Sequence, residues 1–349
     1  MRVALAQINP VVGDLLGNAS RILNALDSLV ETTGTQPDLL VTPELSLWGY
    51  PPRDLLFSPT HLQRQREALD TLRSGLAARQ SESALLVGVA DPAEDVLHPA
   101  LFNAVTLVQV DGDRVVARKQ LLPSYDVFDE TRYFRPSHGA GLLTLSSGGR
   151  DWRLGISICE DLWVERELHG RRLVGPDPVA DLIPAQIDAL INCSASPFGR
   201  RKAELRRQLA ARAAQRLGCP VVYVNQVGGN DELVFDGASF VMGNSCEIPL
   251  LQLPDCREAI QIWNAADRAL SASHGSPTTQ RIQTEQQEME ALFRTLVTGV
   301  KDYAGKCGFQ RVLLGLSGGI DSALVAVIAA AALGSNQVQT LLTVSYTHL

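Results

Sequence analysis

Three residues of different chemistry stand in similar places in this sequence: a carboxylate, an amine and a thiol, each at the end of an apolar run. Glu44 follows Asp38-Leu39-Leu40-Val41-Thr42-Pro43, Lys119 closes the run that starts at Arg114, and Cys159 follows Trp152-Arg153-Leu154-Gly155-Ile156-Ser157-Ile158. Short apolar runs with β-branched members read as buried strands. Residues at strand ends gather at one edge of a parallel or mixed sheet, where sites form. A thiol there, with backbone N–H groups free just beyond it, can attack a carbonyl carbon once a base has taken its proton. Glu44 can be that base, and Lys119 can hold the oxyanion that develops. Taken singly, each has an ordinary explanation: cysteine packs in cores, a glutamate after a strand is solvated, and a lysine at a strand end reaches for water. The chemistry depends on their being brought together.

A second constellation lies near the C-terminus. Val312-Leu313-Leu314-Gly315-Leu316 reads as a strand and Ala323 to Leu333 as a helix, joined by Ser317-Gly318-Gly319-Ile320-Asp321-Ser322. Two glycines let the backbone turn tightly and aim successive N–H groups at an anion on the helix N-terminus. The hydroxyls of Ser317 and Ser322 add hydrogen bonds. Asp321 repels bare phosphate, so a phosphate ligand here calls for a magnesium ion beside it. The ordinary alternative is a Ser/Asp helix cap after a glycine turn. No GxxxxGK[ST] occurs, so this is not a Walker loop.

The elements that must position these residues alternate along the chain. Strand patterns at Val3–Ile8, Asp38–Thr42 and Ala84–Val89 are separated by helix patterns at Asn18–Glu31 and His61–Arg79. Phe102–Val110 and Arg114–Lys119 flank the hairpin signal Asp111-Gly112-Asp113. Beyond the cysteine, strands at Ala189–Asn192, Val221–Val224 and Gly237–Met242 accompany a basic helix, Lys202–Arg216. This alternation predicts a layered α/β domain. From about Cys256 to Arg281 the composition turns to that of a linker.

Bulk properties exclude several function classes. A length of 349 residues suggests about two domains. The formal net charge of −7, with acids dispersed, argues against non-specific nucleic-acid binding. The 6 cysteines have no CxxC or zinc-like spacing and the 6 histidines form no HExxH, so a reduced, cytoplasmic protein without a catalytic zinc is expected. The apolar run Ala323–Leu333 is too short to span a bilayer, and Met1 to Pro10 is no signal peptide.

The words Thr42-Pro43-Glu44-Leu45, Arg118-Lys119-Gln120-Leu121-Leu122-Pro123 and Ile158-Cys159-Glu160-Asp161-Leu162-Trp163 resemble the carbon–nitrogen hydrolase (nitrilase) superfamily over roughly residues 1 to 255. Leu122-Pro123-Ser124-Tyr125-Asp126-Val127-Phe128-Asp129-Glu130 is similar to the glutaminase domain of the glutamine-dependent NAD synthetases. The loop Gly315-Leu316-Ser317-Gly318-Gly319-Ile320-Asp321-Ser322 resembles the PP-loop of ATP pyrophosphatases. The resemblance implies a four-layer α-β-β-α nitrilase-like sandwich over residues 1–255, a linker over 256–281 and the start of a Rossmann-like PP-loop domain over 282–349.

It further implies a catalytic triad of Glu44, Lys119 and Cys159, with Glu130 orienting Lys119. L-glutamine would be bound by Tyr125, Phe128, Glu130, Glu160, Ser196 and Lys202. ATP would lie on Gly315–Ser322 with Mg²⁺ on Asp321, deamido-NAD would accept the ammonia, and the protein would form a homo-oligomer. The chain departs from the family at its end: only 27 residues follow Ser322, less than a PP-loop domain needs, so an incomplete synthetase half is expected. A stand-alone amidase acting on another small amide is the alternative.

Overall fold

A computed structural model describes residues 1–94, 99–165, 167, 173–244, 248–266 and 285–342. The first helix, α1 (Leu15–Thr33), begins where the Asp14 carboxylate caps the N–H of Gly17 and ends at Gly34 in the left-handed conformation. Its buried face is Leu15, Ala19, Ile22, Leu23, Leu26 and Leu29, the helical spacing legible in the sequence. With α2 (Pro59–Ala78) it covers a sheet of β1 (Arg2–Gln7), β2 (Leu39–Val41), β3 (Ala84–Pro92), β4 (Leu101–Gln109), β5 (Gly112–Arg118) and β14 (Ala259–Asn264), in the order β14-β1-β2-β3-β4-β5.

A second sheet runs β13-β12-β9-β8-β7-β6. It contains β6 (Gly141–Ser147), β7 (Arg150–Ile158), β8 (Ala189–Ser194), β9 (Val221–Asn225), β12 (Phe240–Met242) and β13 (Leu251–Gln252). The short α3 (Pro178–Leu182) and the long α4 (Lys202–Leu217) lie on its outer face over Leu190, Val221, Tyr223 and Phe240. Between the sheets Val3, Leu5, Val41, Leu86, Ile156, Ile158, Ile191 and Val222 form one continuous core. The result is the α-β-β-α sandwich expected from the resemblance. In each sheet the central strands are parallel (β1-β2-β3 and β7-β8-β9) and the flanking pairs antiparallel. Glu44 and Cys159 therefore sit at the C-terminal ends of central strands in opposing sheets.

Several elements differ from the sequence reading. The region read as a linker from residue 256 contains β14, which pairs antiparallel with β1 along its whole length and extends the first sheet, Ile260 and Ile262 on one face and Trp263 on the other. Residues 267–281 of that region lie outside the described residues. In the hairpin of β10 (Val227–Asn230) and β11 (Leu233–Asp236), β10 is too glycine-rich and β11 too short to show as strands in the sequence. After it, α5 (Glu285–Lys306) packs on this hairpin. The parallel pair β15 (Val312–Leu316) and β16 (Val338–Leu342) with α6 (Ile320–Leu333) forms the last described elements, in which Leu313, Ile320, Leu324, Val325 and Leu342 are exposed.

One glycine governs how the first sheet meets the site. A Cβ on Gly88 of β3 would lie 2.2 Å from the N of Leu45 and 2.7 Å from the O of Pro43, both backbone atoms. Neighbouring contacts hold the same turn: the N–H of Gly88 donates to Ser46 Oγ at 3.0 Å, and Leu45 has a φ of +46°. Gly88→Ala is expected to lower unfolding stability by about 1–3 kcal/mol through overpacking, read by urea denaturation. An unchanged midpoint would show that this close approach is not required.

Candidate active site

The charged centre is Lys119, just beyond β5, with a fully buried side chain. Its Nζ donates to Glu44 Oε1 at 2.6 Å and to Glu130 Oε1 at 2.8 Å. Glu44 is fixed from two other directions, accepting from Asn103 Nδ2 at 2.7 Å and, across the sheets, from the N–H of Ala195 at 3.0 Å. Glu130 Oε1 also accepts from the Tyr50 hydroxyl at 2.7 Å, while its Oε2 is buried without a partner among the described residues. Burial opposes the charge on Lys119, yet Glu130 and Glu44 outweigh it and hold its pKa well above the ordinary lysine value. Burial raises Glu130 to about 7 against the pull of Lys119, and the charge of Glu44 adds to the rise.

Cys159 directly follows β7 and opens a single 3-10 turn, Cys159–Leu162, with a φ of +44°. A non-glycine residue in this left-handed region is strained and held by its surroundings. Asp161 supplies that hold. Its Oδ1 accepts from the N–H groups of Gln120 (3.0 Å) and Leu121 (2.8 Å), and its Oδ2 accepts from the N–H of Ile158 (3.3 Å). One buried carboxylate thereby ties the segment carrying Lys119 to the turn carrying Cys159. The Cys159 thiol is pushed well up by burial and by the negative charge of Glu44, with Lys119 pulling the other way. The resting group is the protonated thiol, so its proton must leave as the sulfur attacks.

Cys159 opens on a cavity of about 640 Å³ lined also by Tyr125, Phe128, Glu160, Trp163, Ser196 and Lys202. Every residue expected to bind glutamine lines it except Glu130, whose contacts are Lys119 and Tyr50 and which borders a separate space of about 270 Å³. Tyr125 donates to both oxygens of Glu160, at 2.9 and 3.1 Å. Lys202 Nζ lies 5.5 Å from the Trp163 ring centroid and 5.9 Å from that of Phe128. Burial lowers the Lys202 pKa, with Arg206 adding repulsion, and burial raises that of Glu160. Among the described residues neither has an ion-pair partner, so a ligand carrying one charge of each sign would relieve both.

The second constellation keeps its sequence order: Gly315 and Leu316 end β15, Ser317 to Gly319 turn, and Ile320, Asp321 and Ser322 open α6. Gly318 has a φ of +82°, Ser317 Oγ and Ser322 Oγ are 3.2 Å apart, and Ser322 Oγ donates to Gly319 O at 3.0 Å. This exposed helix start suits an anion. For the expected magnesium, no three His, Cys, Asp or Glu side chains gather as ligands among the described residues, so the residues present, Asp321 included, do not make a metal site. No described helix is long and apolar enough to cross a membrane.

The carbon–nitrogen hydrolase family model matches residues 2–249. The chain belongs to the carbon–nitrogen hydrolase family. The NAD synthase model matches residues 292–348. The chain is 38% identical over 340 residues to a glutamine-dependent NAD(+) synthetase of Synechocystis sp., covering 96% of this chain and 58% of that protein. It is 36% identical over 373 residues to the Thermotoga maritima protein of the same name, covering 98% and 60%. The glutamine-dependent NAD+ synthetase of Acinetobacter baumannii, solved with adenosine diphosphate, superposes with a TM-score of 0.79 at 30% identity, over 99% of this chain and 60% of that one. An amidase from Nesterenkonia sp. shares the fold with a TM-score of 0.58 at 23% identity, over 78% and 98%. The chain thus spans about 60% of the length of the curated relatives it matches.

Within this carbon–nitrogen hydrolase fold, Asn103, Tyr50 and Asp161 are site residues that sequence reasoning missed. Asn103 was detectable as the polar residue inside the apolar run of β4, whereas Tyr50 and Asp161 gave no signal beyond lying near a turn.

The raised Glu130 pKa sets a stability slope. With an ordinary value of 4.5 unfolded and about 7 folded, the folded chain binds more protons between those limits, so stability falls as pH rises through that window and is level above it. The Glu130→Gln variant is expected to lack this component, on the order of 3 kcal/mol, in urea unfolding at pH 5 compared with pH 8. Parallel pH profiles for the two proteins would contradict a raised Glu130.

Proposed function

We propose that this chain hydrolyses the side-chain amide of L-glutamine at Cys159, as the ammonia-producing part of a glutamine-dependent NAD synthetase. The observation that carries the reading is the buried Glu44–Lys119–Glu130 cluster beside a strained cysteine that opens on a cavity where Glu160 and Lys202 have no ion-pair partner among the described residues. Glutamine presents a neutral amide at one end and an ammonium and a carboxylate at the other. Glu160, with Tyr125 behind it, takes the ammonium. Lys202 takes the carboxylate, with Phe128 and Ser196 closing round the chain between them.

Glu44 accepts the thiol proton as Cys159 Sγ bonds to the amide carbon, and Lys119 with the N–H of Glu160 holds the oxyanion. Glu44 returns the proton to the nitrogen, the C–N bond breaks and ammonia leaves a γ-glutamyl thioester. Water then attacks with Glu44 as base, the C–S bond breaks, and glutamate and the thiol are restored. Glu130 keeps Lys119 charged and in place. In the second segment the N–H groups and hydroxyls of Ser317–Ser322 would hold ATP phosphates. Adenylation of the deamido-NAD carboxylate would then prepare it for ammonia. The match of residues 292–348 to NAD synthase supports this partner reaction.

Ammonia release from glutamine is expected from the chain and absent in Cys159→Ala. Lys202→Met is expected to raise KM for glutamine roughly 10- to 100-fold, the equivalent of a lost charged hydrogen bond, and to change rates on propionamide little. Equal rates on propionamide and glutamine would instead favour a simple amidase.

A further inference from the structure

The last turn of α5 grips the carbon–nitrogen hydrolase domain through charged groups that the proposed reaction does not use. Lys306 Nζ donates to Asn9 Oδ1 (2.7 Å), Asn230 Oδ1 (2.9 Å), Gly229 O (2.9 Å) and Pro10 O (3.0 Å). One turn earlier, Asp302 Oδ2 accepts from the N–H of Gly229 and from Asn9 Nδ2, both at 2.8 Å. Close packing accompanies this grip, because a Cβ on Gly229 would meet Gly299 Cα of α5 at 3.1 Å.

The consequence lies in Asn230. An amide side chain has one accepting and one donating end, and Lys306, a donor only, fixes which end faces α5. The amide nitrogen of Asn230 then points the other way and donates to Tyr50 O at 3.1 Å. Gln226 holds the same backbone, accepting from the Tyr50 N–H and donating to its carbonyl, each at 3.3 Å. The Tyr50 hydroxyl in turn donates to Glu130 Oε1, the oxygen that also receives Lys119.

We propose that Lys306 is a positioning residue for the hydrolase site, acting through Asn230 and Tyr50 on the Glu130–Lys119 pair. The inference rests on the proposed amide hydrolysis for its kinetic reading, though not for its geometry. It makes the first helix of the NAD synthase segment part of the support of the other active site, so the two segments are coupled by hydrogen bonds as well as by a shared intermediate.

The groups facing Glu130 are Lys119, Glu44 and Tyr50, and the Tyr50 hydrogen bond favours its ionised form. Weakening that bond raises the pH at which Glu130 ionises, so the acid limb of activity moves to higher pH. Lys306 itself is lowered to about 8 by burial, with Asp302 and Glu258 opposing and Arg21 assisting, and remains charged at neutral pH.

The test compares Lys306→Met, Tyr50→Phe and their double variant in the full chain. Each is read by the pH dependence of Cys159 alkylation with iodoacetamide, which assumes no substrate, and by glutamine hydrolysis. Each single variant is expected to lower kcat at pH 7 between roughly twofold and thirtyfold, to leave KM near its parent value and to move the acid limb of both readouts upward. The double variant is expected to match the larger single effect, since both substitutions break one chain of contacts. Arg294→Gln, which frees the same helix from Asp255, is expected to change neither profile. If Lys306→Met does not fold by circular dichroism, Asn230→Ala takes its place. Unmoved profiles in folded variants, additive effects in the double variant, or an equal effect of Arg294→Gln would overturn the relay. Absence of glutamine hydrolysis in the parent chain, with the alkylation shifts intact, would overturn the substrate and leave the relay standing.

Discussion

The Lys119 ammonium, buried between two carboxylates, is the interaction on which the rest depends. A lone buried charge is costly, and removal of one partner from such a group leaves an uncompensated ion in the core. The fold meets this constraint from every side. Glu44 arrives at the end of β2, Lys119 at the end of β5 and Ala195 just past β8 in the opposite sheet. Asn103 of β4 and Tyr50 complete the shell. The parallel centres of both sheets bring these ends together, and Gly88 lets β3 come close enough to the Glu44 turn for the first sheet to do so.

This arrangement sets stability against chemistry. Burial pushes the Glu130 carboxyl up to about 7, and its Oε2 has no partner among the described residues. Its ionised form, which the chain is less stable carrying, is the one that holds Lys119 charged. Cys159 shows the same tension: it is strained in backbone and protonated at rest, yet kept in line by Asp161. The cavity beyond repeats it once more, with Glu160 and Lys202 each pushed toward neutrality until a ligand of opposite charges arrives.

Much of this was legible in the sequence for physical reasons. Glu44, Lys119 and Cys159 stood after apolar runs, so pattern put each at a strand end, while their meeting as a triad was implied by the resemblance of the words around them. The amphipathic spacing of α1 and the turn at Gly318-Gly319 were equally plain. What stayed hidden was set by tertiary contact. β14 lay in a stretch whose composition looked like linker, because an edge strand needs only one buried face. The glycine-rich β10 carries no hydrophobic period, and Tyr50, Asp161 and Lys306 gain their meaning from partners tens to hundreds of residues away.

The most direct test of the central claim is whether Cys159 carries the acyl group. The chain is mixed with L-glutamine, quenched rapidly in acid, digested and examined by mass spectrometry. A γ-glutamyl group on the peptide containing Cys159, absent when glutamate replaces glutamine and absent in Cys159→Ala, is the expected result. Ammonia release without any acylated cysteine, or a glutamyl group on Cys193 or Cys256 instead, would contradict the account.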